Sequence, residues 1–184
     1  MARARSIGWS ALVAAMSACS TSDVGHATVE GTISGAAFTV RDAITLIQPD
    51  QKIAKIVISS TPNLCADVRD HVARQNSRVL LIEVAAAAGA GLAPGTYPTD
   101  PAGAPPLDST LFESHLTDGQ CNVTYDPPPD GVGSGIVTLT AVTPPTVSGT
   151  FDVIVEAVEH VTGTFDPTAC PELASAGGSL TCMP

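Results

Sequence analysis

The sequence has little lysine, few aromatic rings and no apolar run long enough to cross a membrane. Lysine occurs only at Lys52 and Lys55, and Lys plus Arg number 8 against 18 Asp plus Glu, a formal net charge of −10. Nucleic-acid binding depends on basic side chains neutralising phosphates, so this balance excludes that class of partner. Aromatic residues are 4% of the chain, which counts against a sugar-binding module built on stacking platforms. The apolar stretch at residues 7–18 falls short of the ~20 residues a spanning helix requires. Also missing are Cys-x-x-Cys, Gly-x-x-x-x-Gly-Lys, His-Glu-x-x-His, and a Gly-x-Gly-x-x-Gly leading into a helix. Gly131-Val132-Gly133-Ser134-Gly135 lacks the Gly-x-Ser-x-Gly spacing of a nucleophile elbow and leads into strand pattern. No catalytic residue, metal or cofactor is therefore expected.

What is present begins at the N-terminus. Arg3 and Arg5 form a positively charged start, residues 7–18 an apolar core, and Ser17 and Ala18 place small side chains just before Cys19. Met16-Ser17-Ala18-Cys19 resembles the lipobox of bacterial type II signal peptides, with Met where Leu is usual. The resemblance implies cleavage ahead of Cys19, diacylglycerol on its thiol, and an exported protein held in the cell envelope. An outer-membrane or cell-surface position is expected, the membrane being reached through lipid on Cys19. Residues 1–18 then form the signal, 19–27 a lipidated tether and 28–184 one β-rich domain. Loss of Arg3 and Arg5 takes the net charge from −10 to −12.

Cys65, Cys121, Cys170 and Cys182 remain, an even number that in an exported chain reads as two disulfides. Three pairings are possible. Loop entropy gives about 4 kcal/mol for a 65–121 bridge and about 3 for 170–182, too close to choose by magnitude. We expect 65–121 with 170–182, because the latter would hold the Gly/Ser-rich tail.

The periodicity is mainly β. Residues 28–33 and 37–47 alternate around Gly35, with Phe38, Val40, Ile44 and Leu46 on one parity, and residues 52–59 follow with Ala54, Ile56 and Ile58 on one face. One helix is expected near 62–75, capped by Thr61, with Pro62 in its first turn and Leu64, Cys65, Val68 and Val72 as its apolar stripe. Residues 78–86 read as a central strand and the Gly/Pro-dense 87–109 as a long loop. After strands at 110–117 and 121–125, an antiparallel meander is expected at 135–142, 146–157 and 161–166. Within it Val147-Ser148-Gly149-Thr150-Phe151-Asp152 recurs as Val161-Thr162-Gly163-Thr164-Phe165-Asp166, which reads as two neighbouring strands with similar demands. This ending, with Cys170-Pro171 after it, resembles that of small uncharacterised lipoproteins of GC-rich bacteria, for which no activity is implied. The expected fold is an antiparallel β-sandwich or partly closed barrel of eight or nine strands with one helix, disulfide-stapled.

Several clusters offer chemistry, each with a blander reading. Asp67 and His71 stand at metal-pair spacing on the expected helix, yet Asp67, Asp70, His71 and Arg74 also make an ordinary charged face. Glu156, Glu159 and His160 gather near a hairpin tip, where a pocket seldom forms. Asp118, Asn122, Asp126 and Asp130 surround loops but match no calcium-loop spacing. Asn122-Val123-Thr124 is a glycosylation sequon without consequence in a bacterial host. Three functions follow, in order of preference: a non-catalytic structural or partner-binding envelope module, a small-ligand or calcium-binding barrel, and a surface hydrolase drawing on Asp42, His115 and His160.

Overall fold

The computed structural model describes residues 24–33, 35–98, 109–125, 134–155, 159–175 and 181–184. The elements are β1 (His26–Glu30), β2 (Thr32–Ile33), β3 (Ala36–Ala37), β4 (Asp42–Ile47), β5 (Ile53–Ser59), α1 (Leu64–Arg69), β6 (Val72–Arg74), β7 (Arg78–Ala85) and β8 (Gly95–Pro98). They continue as β9 (Ser109–Thr117), β10 (Val123–Tyr125), β11 (Ser134–Thr143), β12 (Thr146–Val155), β13 (Glu159–Asp166), β14 (Thr168–Ala169), a 3-10 turn (Pro171–Ser175) and β15 (Thr181–Met183). A five-stranded sheet in the order β1-β13-β12-β11-β8 faces a six-stranded sheet in the order β10-β9-β7-β5-β4-β14. Neither closes into a barrel among the described residues, so the expected sandwich is the architecture, with antiparallel pairing throughout except where β14 joins β4.

Alternation explains the core. Ala54, Ile56 and Ile58 of β5, with Leu80, Ile82 and Val84 of β7, are fully buried on the inner face of the six-stranded sheet. Val137, Leu139, Val147, Phe151, Val153, Val161 and Phe165 answer them from the other sheet. Each such large side chain contributes roughly 1.5–3 kcal/mol over its exposed state. Thr45 intrudes without penalty because its hydroxyl donates to the Lys55 carbonyl at 2.9 Å, and no buried side-chain polar atom among the described residues lacks a partner.

The meander follows the expected course, β11 to β13, turning through a cis Pro144-Pro145 peptide. The repeated hexapeptides face one another: Gly149 pairs with Phe165 and Phe151 with Gly163. A Cβ on Gly149 would stand 2.8 Å from Phe165 Cζ, and one on Gly163 would collide with Phe151. Each ring thus lies over the other strand's glycine, which is why the word repeats.

Three expectations about segments change. The β-rich domain, expected from residue 28, starts earlier, because β1 begins at His26 and Gly25 already packs against the Ala43 carbonyl. The stretch 87–109 contains β8, an edge strand on β11, fastened by buried Tyr97, whose hydroxyl donates to the Ala93 carbonyl at 2.7 Å. The helix covers only Leu64–Arg69, not 62–75. Asn63, in left-handed conformation at φ 63°, precedes it, and Thr61 provides no cap. The helix's first N–H, on Leu64, instead donates to Oδ2 of buried Asp42 at 2.8 Å. After His71 at φ 53° the chain becomes β6, which pairs in parallel with β15 from the C-terminal tail.

The disulfides are Cys65–Cys170 and Cys121–Cys182, replacing the expected 65–121 and 170–182 pairs. Geometry decides what entropy could not. Cys170 lies beside α1 because its N–H donates to Thr45 on β4 at 2.8 Å, and Cys182 stands opposite Ala73 on β6, next to the loop bearing Cys121. Sequence separations of 105 and 61 make both loops long, each contributing on the order of 4–5 kcal/mol by chain entropy. Two such bridges indicate an oxidising, exported environment.

Candidate functional site

The six-stranded sheet carries apolar residues on both sides, with the Lys55–Glu83 and His115–Glu113 pairs also on its outer face. Besides its inner face, Ile44, Val57, Val79 and Leu81 point outward, where α1 and the 3-10 turn cover part of them with Leu64, Val68 and Leu173. The cover stops short of the sheet's β9–β10 edge. A cleft of about 370 Å³ remains, floored by Val57 and Val79, walled by Leu64 and Val68 of α1, and bounded by β6 and by His115, Thr117 and Val123. Its size falls at the small end of the 300–1,000 Å³ usual for ligand pockets.

The polar groups around it are fixed. Arg74 Nη2 and Nε donate to the two oxygens of buried Asp67 at 2.7 and 2.8 Å, a bidentate pair tying β6 to α1. That hydrogen bond and the attached charge hold the Arg74 guanidinium above its ordinary pKa. Thr117 Oγ1 donates to the Arg74 carbonyl and accepts from Ser77 N–H at 2.8 Å, joining β6 to β9. His115 Nε2 lies 3.2 Å from Glu113. His71, exposed at the left-handed turn after α1, also borders the cleft.

The candidate residues divide between this cleft and structural duties. Asp67, His71, Arg74 and His115, drawn from two different sequence clusters, all border the cleft. Asp67 and His71 do not form a helical metal pair, since α1 ends at Arg69 and Asp67 is bound to Arg74. Asp70 pairs with Arg69. Of Asp42, His115 and His160, the aspartate caps α1, His115 lies on the outer face of one sheet, and His160 lies on that of the other against Asp152 at 2.6 Å. They do not converge. Glu159 accepts from Thr32 Oγ1 and Gly35 N–H, holding the β2–β3 hairpin. Asp118 accepts from Gln120 N–H, Asn122 N–H and Asn122 Nδ2 at 2.7 to 2.9 Å, and these donors hold its carboxyl below the usual range. Glu156, Asp126, Asp130 and Cys19 lie outside the described residues.

Cys65, Cys170 and Glu172 come together within 4.8 Å, with Glu172 Oε2 3.3 and 3.6 Å from the two sulfurs. Both sulfurs are in the disulfide, so the thiolates a metal would need are not available. Sequence reasoning missed the cleft's floor. Its signal was the strand at 78–86, apolar on both parities, which implies cover on two sides.

No family model matches the chain, and no curated protein or solved structure resembles it significantly.

Proposed function

We propose that the chain is a lipid-anchored, non-catalytic binding module of a bacterial cell envelope, attached through Cys19. The carrying observation is cysteine accounting: Cys65, Cys121, Cys170 and Cys182 are all used in two disulfides, leaving Cys19 as the odd thiol of an exported chain. Its setting in Met16-Ser17-Ala18-Cys19, behind an apolar run, supports lipid on that thiol. One acyl chain binds a membrane only marginally, whereas the several expected on such a cysteine hold it stably. The dispersal of Asp42, His115 and His160 over different faces supports binding rather than catalysis.

Metabolic labelling with a palmitate analogue tests the anchor. The full chain should take up label and sediment with membranes, and Cys19→Ala should lose both properties. A labelled, membrane-bound Cys19→Ala chain would overturn the reading.

A further inference from the structure

We propose that the Cys121–Cys182 disulfide is a thiol-exchange site, at which a low-molecular-weight thiol becomes bonded to Cys182 and releases strand β15. The inference does not depend on lipid at Cys19. What opens a disulfide is an anion, the thiolate, whose charge spreads over three sulfurs as it attacks. Access and local charge therefore decide which bridge reacts, and the two bridges of this chain differ in both.

Cys65–Cys170 is closed to a thiolate. Cys170 is 0% exposed, and Glu172 Oε2 lies 3.3 and 3.6 Å from the two sulfurs. A carboxylate there repels both the incoming thiolate and the one that must leave. Cys121–Cys182 is open, because Cys182 is exposed together with Thr181, Met183 and Pro184 around it. In place of a carboxylate it has an amide donor, Gln75 Nε2, 3.9 Å from Cys182 Sγ. The Asp118 carboxylate, in the same loop as Cys121, is engaged by donors of its own turn.

The departing sulfur also has a partner. Cys121 Sγ stands 3.4 Å from the Ala73 carbonyl oxygen, which can accept from the thiol that forms. The thiolate attacks Cys182 Sγ, the Cys121–Cys182 bond breaks, and its electron pair leaves on Cys121, which takes up the proton the reagent gave up. One thiol is consumed and one appears, with no net oxidation or reduction. Without the bridge little holds β15, which is three residues long, exposed throughout and paired with β6 alone. The Cys170 segment stays, because β14 and the Cys170 N–H tie it to β4.

The test uses the full chain in membranes, with any free thiol first blocked by N-ethylmaleimide. Glutathione is added, the reaction is quenched at intervals with deuterated N-ethylmaleimide, and the cysteine peptides are read by mass spectrometry. Glutathione should appear on Cys182 and the deuterated label on Cys121, about tenfold faster than either appears on Cys65 or Cys170. Glu172→Gln should speed opening of Cys65–Cys170 several-fold and leave the Cys121–Cys182 rate unchanged. Gln75→Glu, which sets a carboxylate beside Cys182, should slow exchange there several-fold. In the modified chain, amide exchange should rise at Thr181, which donates to His71, and at Gln75, which donates to Met183, while Cys170 stays protected. No reaction, glutathione on Cys121 instead of Cys182, or equal rates at the two bridges overturns the proposal. So do rates indifferent to both variants, or a modified chain in which Thr181 and Gln75 remain protected.

Discussion

The two sheets of the sandwich share one core but treat their outer faces in opposite ways. On the five-stranded sheet, Thr28, Thr164, Thr150, Thr138 and Thr96 stand in register across all five strands, facing solvent, with Thr28 and Thr164 hydroxyls 3.0 Å apart. Threonine suits this position because its branched Cβ fits the pleat while its hydroxyl is solvated. On the six-stranded sheet the corresponding face carries Ile44, Val57, Val79 and Leu81 under a second layer of α1, β6, the 3-10 turn and β15, beside the Lys55–Glu83 and His115–Glu113 pairs. That layer is small, and both disulfides run through it. A single layer of strands needs only alternation, whereas a thin cover over an apolar face needs covalent fastening, and it leaves a cleft where it ends.

The largest effect should separate the two faces. Replacing Cys65 and Cys170 together by serine should cost about 4 kcal/mol, read by denaturant unfolding, with amide exchange accelerating first in α1. Comparable exchange across β11–β13 would mean the second layer is not a distinct unit. Gly163→Ala should cost about 3 kcal/mol by overpacking, since the added Cβ would collide with the Thr28 carbonyl oxygen as well as with the Phe151 ring, and Phe151→Leu in the same chain should restore only the share due to the ring. Asp42→Ala, removing the acceptor of both Leu64 and Ala43 N–H groups, should cost about 2 kcal/mol and loosen α1 while leaving the threonine face unchanged. Thr150→Ala on that face should stay within about 0.5 kcal/mol.

Acid gives a smaller and local effect. The Asp118 carboxyl is depressed, so its contribution is fully present above the ordinary carboxylate range and is lost as pH falls through the lowered value. Carbon-detected NMR titration should find Asp118 protonating below 3.8, the ordinary value, with the 118–122 turn loosening in step. An Asp118 that titrates in the ordinary range would show that the turn's hydrogen bonds do not favour its charged form.

The strands were legible because a local rule writes them. Period-two alternation at Ala54, Ile56 and Ile58, and the repeated Gly-Thr-Phe-Asp, carry their own placement. The second layer was not legible because distant residues decide it. The helix stops at Arg69 since Val72–Arg74 pairs with Thr181–Met183, more than a hundred residues away. Its cap comes from Asp42, twenty-two residues upstream, where nearby Thr61 had the right chemistry. The disulfide partners follow from where β4 and β6 bring the tail. Of the site, Asp67, His71, Arg74 and His115 were noticed as chemistry, but their shared border needed the sheet between them.

The facing hexapeptides carry one more consequence. Read against each other they form a palindrome, in which glycine always answers phenylalanine. Sliding one strand by two residues in one direction sets Phe151 opposite Phe165, two rings in space made for one. The opposite slide sets Gly149 opposite Gly163 and leaves a void. A repeated word would ordinarily invite mispairing, yet here each wrong alignment is flagged by excess or by emptiness, so the hairpin proofreads its own register.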